Sequence, residues 1–280
     1  MFALGEPPET AADPTQIPEL KEILMNSVAG KTVVVTGSSR GVGADTAKIL
    51  AGEGANVVVN YRQKAPRANK VVKEIEEAGG KAIAVGADLT DTDTVQALFD
   101  QAVEAFGSVD VVILNASGGM ESGMGEDYAM RLNRDAQNDA LTTALKYLPQ
   151  GGRVVFVTSH QAHFIREVET MDAYADVAKS KRAGEDQLTS RIPEMTEAGV
   201  DFVVVSGDMI EGTVTATLLN RAQPGALEAR REAAGKLLSV NEFATEIAKM
   251  VTADVETGHI ELAGGSGDFP ADGGAAQPVN

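Results

Sequence analysis

Cysteine is absent from the 280 residues. That excludes disulfides, thiolate metal sites and cysteine nucleophiles, and it fits a reducing cytoplasm, the expected location. No apolar run approaches the length needed to cross a membrane. The opening residues MFALGEPPET lack the basic start and apolar core of a secretory signal. Basic residues are scarce. With 24 Lys and Arg against 41 Asp and Glu, the formal net charge is -17, and no run of adjacent basic residues exceeds two, as at Arg230–Arg231. A surface that acidic repels nucleic acid and anionic lipid, so neither is an expected partner. The three histidines include His160 and His163. A third ligand for a metal is not apparent, so no metal is expected and both are read as loop or pocket-lining residues.

What is present is ordinary for a soluble folded chain, with 43% hydrophobic and 23% charged residues. Residues 1–29 read as a partly disordered extension rich in Pro and Glu, with a short amphipathic turn or helix over 18–28. Residues 266–280, SGDFPADGGAAQPVN, read as a disordered tail. Between them, residues 30–265 alternate regularly. Short Val- and Ile-rich runs at Thr32–Val35, Ala55–Val59, Ala82–Val85, Val109–Leu114, Arg153–Val157, Asp201–Val205 and His259–Leu262 mostly lack polar alternation. Such runs suit strands buried on both faces of a parallel sheet. Helical spacing fills the intervals, as in Val95, Leu98, Phe99, Ala102 and Phe106. The expected fold is α/β, one Rossmann-type doubly wound sheet of about seven strands with helices on both faces.

The first run leads straight into TGSSRGVGADTAKIL, where Gly37, Gly41 and Gly43 form T-G-x-x-x-G-x-G. Glycine allows the tight turn and close approach of backbone to a pyrophosphate. The helix expected from about Val42 offers free N–H groups and the positive end of its dipole. Ser39, Arg40 and Val42 complete the loop.

These residues resemble the cofactor loop of the short-chain dehydrogenase/reductase family, and further marks follow in order. Asp88-Leu89 resembles the adenine-contacting pair. Leu114-Asn115-Ala116-Ser117-Gly118 resembles the N-N-A-G motif, with Leu in place of the first Asn. Asn133 matches a helical Asn that helps hold a proton-relay water. Ser159 falls where the family carries its catalytic serine, and Thr257–Ile260 with Gly264-Gly265 resembles the last strand. Gly207 follows Ser206, where the family has Pro-Gly. At the end of the second strand Tyr61 stands where NAD-users place an acid, and Arg62 follows. With Arg40, this favours NADP(H) over NAD(H), the second alternative.

The resemblance implies Ser, Tyr and Lys at the active site, with tyrosine as acid or base and lysine supplying charge and holding the nicotinamide ribose. Ser180-Lys181-Arg182-Ala183-Gly184-Glu185 resembles the S-K-A-A-x-E run and so anchors Lys181. The residue four before it is Val177, not Tyr. Tyr174 is seven before. At about 100° per residue an offset of seven turns by about -20°, so Tyr174 and Lys181 share a helical face, whereas Lys179 points about 140° away from Tyr174. Enoyl-acyl-carrier-protein reductases resemble this family and carry Y-x6-K, and Tyr174 to Lys181 looks like the branch that joins that spacing to the commoner glycine loop. Tyr128 is the rival acid. The expected activity is NADP(H)-dependent reduction of a carbonyl or an enoyl double bond, on a small molecule or acyl thioester. The alternative is an NADP-binding regulator with impaired catalysis, for which Val177 speaks. A homodimer or homotetramer is implied by the resemblance only, with a long helix from about Ala173 to Thr196 contributing.

Overall fold

The structure is a computed structural model that describes residues 27–121, 123–125 and 127–269. Seven strands form one all-parallel sheet in the order β3-β2-β1-β4-β5-β6-β7. They are β1 (Thr32–Val35), β2 (Asn56–Tyr61), β3 (Lys81–Gly86), β4 (Val111–Leu114), β5 (Arg153–Ser159), β6 (Asp201–Gly207) and β7 (His259–Ala263). The central strands are buried along almost their whole length, which is why their sequences run as Val and Ile without alternation.

Helices cover both faces and each face has its own core. One core takes in Ala47 and Leu50 of α1 (Gly41–Gly52) and Ile247 of a helix near the C-terminus. The other takes in Leu98 and Phe99 of α3 (Thr92–Phe106) and Leu141. Between these lies α2 (Ala65–Glu77), and Leu141 belongs to α4, which runs through Tyr128–Met130, a π-helical turn Arg131–Asp135 and Ala136–Ala144. After β5 come the short α5 (His160–His163), α6 (Ala175–Thr189) and α7 (Ile192–Glu197). After β6 come α8 (Val214–Ala222), α9 (Ala226–Ala234) and α10 (Val240–Thr252). No helix among the described residues is long and apolar enough to cross a membrane.

Two expectations are corrected here. The long helix over 173–196 is two helices. Tyr174 closes a 3₁₀ turn and stands at the N-cap of α6, and a break at Ser190–Arg191 with Pro193 opens α7. Proline cannot sit inside a continuing helix but is favoured in its first turn. Of the tail read as disordered from Ser266, residues 266–269 are ordered, and Phe269 is buried. It packs on Phe164 and His160 with ring centroids 5.4 Å from each. Readings of residues 1–26 and 270–280 lie outside the described residues. A third difference concerns Ser206. The strand β6 runs through it, pairing Thr158 with Ser206 and Ser159 with Gly207.

Candidate active site

The strand order reverses between β1 and β4, and there the loops after the two strands diverge and leave a crevice at their carboxyl ends. A cleft of about 690 Å³ opens at that place. Of the residues singled out in the sequence, Gly37, Ser39, Arg40, Gly41, Val42, Gly43, Tyr61, Arg62, Asp88, Leu89, Asn115, Ala116, Ser117, Ser159, Tyr174 and Lys181 all line it. Asn133 and Gly207 do not.

The glycine loop is stitched down from behind. Asn115 donates from Nδ2 to the Thr36 carbonyl at 2.9 Å, and the Thr36 hydroxyl accepts from the Asn115 and Ala116 amides. Asn60 accepts the Gly37 amide at 3.0 Å and donates to the Ala87 carbonyl. Asn60 escaped the sequence reading. Its signal was an amide side chain inside a buried Val run, where only a committed hydrogen-bonding role offsets desolvation. Close packing fixes two of the glycines. A Cβ on Gly43 would stand 2.5 Å from Asn115 Nδ2, and one on Gly37 would stand 2.9 Å from Ala116 Cα. Gly41 has φ +57° and faces open space. A dinucleotide pyrophosphate fits such a loop, with bare backbone at the head of α1.

Folding gathers cations that the sequence scatters. Arg40, Arg62, Lys64 and Arg67 line one rim of the cleft, and none of the four meets an acidic side chain within ion-pair distance among the described residues. Arg230 and Arg231, a basic pair visible in the sequence, are instead neutralised by Asp208, Asp268, Glu211 and Glu228. Arg62 donates to the Tyr128 hydroxyl, and its guanidinium lies 5.5 Å from that ring's centre. Burial holds the Tyr128 phenol above the ordinary tyrosine value, with Arg62 acting against it. Tyr128, the rival acid, is thus committed to Arg62.

At the other end of the cleft, Ser159 ends β5 and caps α5, its Oγ accepting the Ala162 amide at 3.3 Å. The Tyr174 hydroxyl lies 3.3 Å from the same Oγ. Tyr174 is buried beside Val177, Met209, Ala216 and Leu219. Lys181, on the second turn of α6, is also buried and reaches the cleft. Its ammonium has no hydrogen-bond or ion-pair partner among the described residues. Lys179 is exposed and lies 3.8 Å from Asp176. Val177, at the commoner tyrosine position, is core.

Asn133 sits in the π turn of α4. Its side chain accepts the Gly118 amide and donates to the Gly118 carbonyl and to Ser180 Oγ at 2.9 Å. It therefore fixes the loop after β4 to α6. Its carbonyl faces Gly184, where an added Cβ would overlap it. Gly207 lies under the Phe243 ring, which an added Cβ would strike at 2.5 Å. The histidines are not pocket-lining. His160 is fully buried, with Nδ1 2.8 Å from Ser206 Oγ and Nε2 donating to the Gly265 carbonyl at 3.0 Å. Burial pushes its imidazole below the usual histidine value. His163 pairs with the buried Glu185. Gln161 does line the cleft and accepts from Thr170. No group of three potential metal ligands occurs among the described residues.

Comparison with known proteins agrees with this geometry. Residues 31–223 match the short chain dehydrogenase family model. Versicolorin reductase 1 of Dothistroma septosporum is 42% identical over 139 residues, 48% of this chain and 53% of that protein. A probable tetrahydroxynaphthalene reductase of Zymoseptoria tritici is 41% identical over 136 residues, 46% of this chain and 51% of that protein. The chain thus spans about half the length of these curated relatives. A short chain dehydrogenase from Burkholderia cenocepacia, solved with NADP, superposes with TM-score 0.70 at 27% identity, covering 84% of this chain and 96% of that one. A blue fluorescent protein from a metagenomic library, solved with NADPH, gives TM-score 0.73 at 26% identity over 88% of this chain and all of that one. The seven-stranded parallel sheet, the glycine loop at its switch point and a family match over residues 31–223 lead to one conclusion: the chain belongs to the short chain dehydrogenase family.

Proposed function

We propose that the protein is an NADP(H)-dependent oxidoreductase that reduces a carbonyl on a small molecule. The observation that carries this is the pair of hydroxyls at Tyr174 and Ser159, 3.3 Å apart at the floor of the cleft. Two hydroxyls that close together can both bond a single oxygen, the atom on which charge develops as a carbonyl becomes an alcohol. The names of the two reductase relatives support the same reading, as does the apolar character of the wall formed by Met171, Met209 and Leu219.

Ser159 donates a hydrogen bond to the substrate oxygen, and Tyr174 gives that oxygen its proton. Oriented by α5, the Ser159 hydroxyl is held in place before substrate arrives. Lys181 brings a positive charge into the cleft from α6 and has an uncommitted ammonium for the ribose. A nicotinamide held in the cleft would supply the hydride. The backbone of Gly37–Gly43 would hold the pyrophosphate, and Asp88 and Leu89 would bound the adenine side. Arg40, with Lys64 and Arg67, would meet a 2′-phosphate, while Arg62 and Tyr128 would close the same end. Asn133 acts by position, tying the loop after β4 to α6.

Enoyl reduction is the second reading, and only the Tyr174–Lys181 spacing favours it. Against the regulator alternative stands the Tyr174 hydroxyl beside Ser159, although Val177 holds the commoner tyrosine position. A cytoplasmic location and a homodimer or homotetramer through α4 and α6 belong to the same proposal. The test is NADPH oxidation, followed by absorbance, with β-tetralone and crotonyl-CoA side by side. Turnover of the ketone and not of the enoyl thioester is expected. Turnover of the thioester alone would replace this reading with the second.

A further inference from the structure

The segment Ser266–Phe269 does something that neither the hydride chemistry nor the cofactor requires. Arg230, near the middle of α9, is buried. Its Nε donates to both carboxylate oxygens of Asp208, at 2.7 and 2.8 Å. Its Nη2 lies 2.6 Å from Asp268 Oδ1 in an ion-pair contact. The face of its guanidinium lies 4.4 Å from the centre of the Phe269 ring. Phe269 in turn stacks on Phe164 and meets the edge of His160, the residue after Ser159. His160 bonds back to the Gly265 carbonyl.

Asp208 lines the cleft directly after β6. The helix before α9, α8, supplies Val214, Ala216 and Leu219 to the same cleft, and Ala216 and Leu219 pack in one apolar cluster with Tyr174. Leu227 and Ala234 of α9 pack on that cluster too. The substrate wall and the catalytic tyrosine therefore share one piece of packing. What fixes that wall to the sheet is a buried arginine held between a carboxylate of the cleft and the segment Ser266–Phe269. Charge pairing of this kind is strong where Asp208 and the Phe269 ring keep water from the guanidinium.

We propose that Arg230 and Phe269 are positioning residues, which latch the helices α8 and α9 over the substrate end of the cleft. The ketone site is then set by the C-terminal segment, and the dinucleotide site is independent of it. The activity arm rests on the carbonyl-reductase reading; the latch itself does not.

The experiment uses the full chain with Phe269→Ala, Arg230→Met and, as a milder variant that removes one exposed acid, Asp268→Asn. Two quantities are read. One is the KM for β-tetralone against kcat and against NADPH affinity. The other is the order of tryptic cuts, mapped by mass spectrometry. Phe269→Ala and Arg230→Met are expected to raise the ketone KM by about tenfold or more, with kcat within about threefold and NADPH affinity within about twofold. Cuts at Arg221 and Arg231 should move to the front of the digestion order, and Asp268→Asn should move them part of the way. Phe269→Tyr, which keeps the ring, should restore the unmodified pattern. If the large variants fail to fold, Asp268→Asn and Phe269→Tyr carry the comparison alone. An unchanged digestion order in the folded variants would overturn the latch, as would equal losses of ketone and NADPH binding. If the unmodified protein reduces no ketone, the carbonyl reading fails, and the digestion order still decides the latch.

Discussion

Tyr174 Oη and Ser159 Oγ lie 3.3 Å apart, though the first precedes α6 and the second ends β5. The intervening segment, with α5 and the 3₁₀ turn, brings the tyrosine back over the strand end. Tyr174→Phe removes only the hydroxyl, so turnover should fall by about a thousandfold or more while NADPH binding stays within about twofold. Ser159→Ala should cost about a hundredfold in kcat, because one donor to the reacting oxygen is lost. Steady-state kinetics with a fluorescence titration of NADPH measures both.

Two lysines two residues apart should behave oppositely. Lys181 is buried and open to the cleft, whereas Lys179 is exposed near Asp176. Lys181→Ala should lower kcat and weaken NADPH together. Lys179→Ala should change neither by more than about twofold, since exposed pairs contribute little. A matching loss in both variants, read by the same titration, would remove Lys181 from the site.

The residues expected at the cofactor end come together in the fold along one cleft. A glycine loop has few solutions once it follows a buried strand and opens a helix, so Gly37, Gly41, Gly43, Asp88 and Asn115 all line the cleft. The tyrosine was legible only as a choice. Tyr174 and Lys181 share a helical face only along one continuous helix, yet Tyr174 is an N-cap outside α6. It reaches Ser159 through a tertiary turn that no periodicity encodes. The long segment between them carries His160, and the serine in place of proline on β6 is its partner. His160 follows β5 and Ser206 lies on the neighbouring β6, so only the folded sheet brings the two together. The tail at Phe269 was misread for a similar reason. Gly, Asp and Pro around it are the composition of a loop, and a single aromatic anchoring such a loop is visible only in the packing.

Cofactor preference should follow the cationic rim. Arg40→Ala and Arg67→Ala should each weaken NADPH by about tenfold and leave NADH within about twofold, since only NADPH carries the extra phosphate. The NADPH advantage should also shrink as salt rises. Equal affinity of the unmodified protein for the two cofactors, in paired titrations, would contradict the assignment of the rim.

Stability should fall on the acid side of neutrality in part through His160. Burial lowers its folded-state value, with Asp208, His163 and Arg230 as its charged neighbours. A base held below its unfolded value binds fewer protons when folded. Its contribution is therefore complete above the unfolded value of about 6.5 and is lost as pH falls from there toward the folded value. Denaturant titrations from about pH 7 to 5 should show this decline, and His160→Gln should flatten it within that window. An identical slope in the variant would contradict the account.

Gly184→Ala tests the packing of α6 on α4. The new methyl would overlap the Asn133 carbonyl. A loss of about 1–3 kcal/mol or more in unfolding free energy is expected from such overpacking. Thermal and urea denaturation measure it.

The most direct measurement of the central claim is single-turnover reduction of β-tetralone by NADPH, comparing the unmodified protein with Tyr174→Phe and Tyr128→Phe. The account predicts that the Tyr174 variant binds NADPH and transfers no measurable hydride, while the Tyr128 variant turns over within about tenfold of the unmodified protein. Full activity in Tyr174→Phe, or its loss in Tyr128→Phe alone, would contradict it.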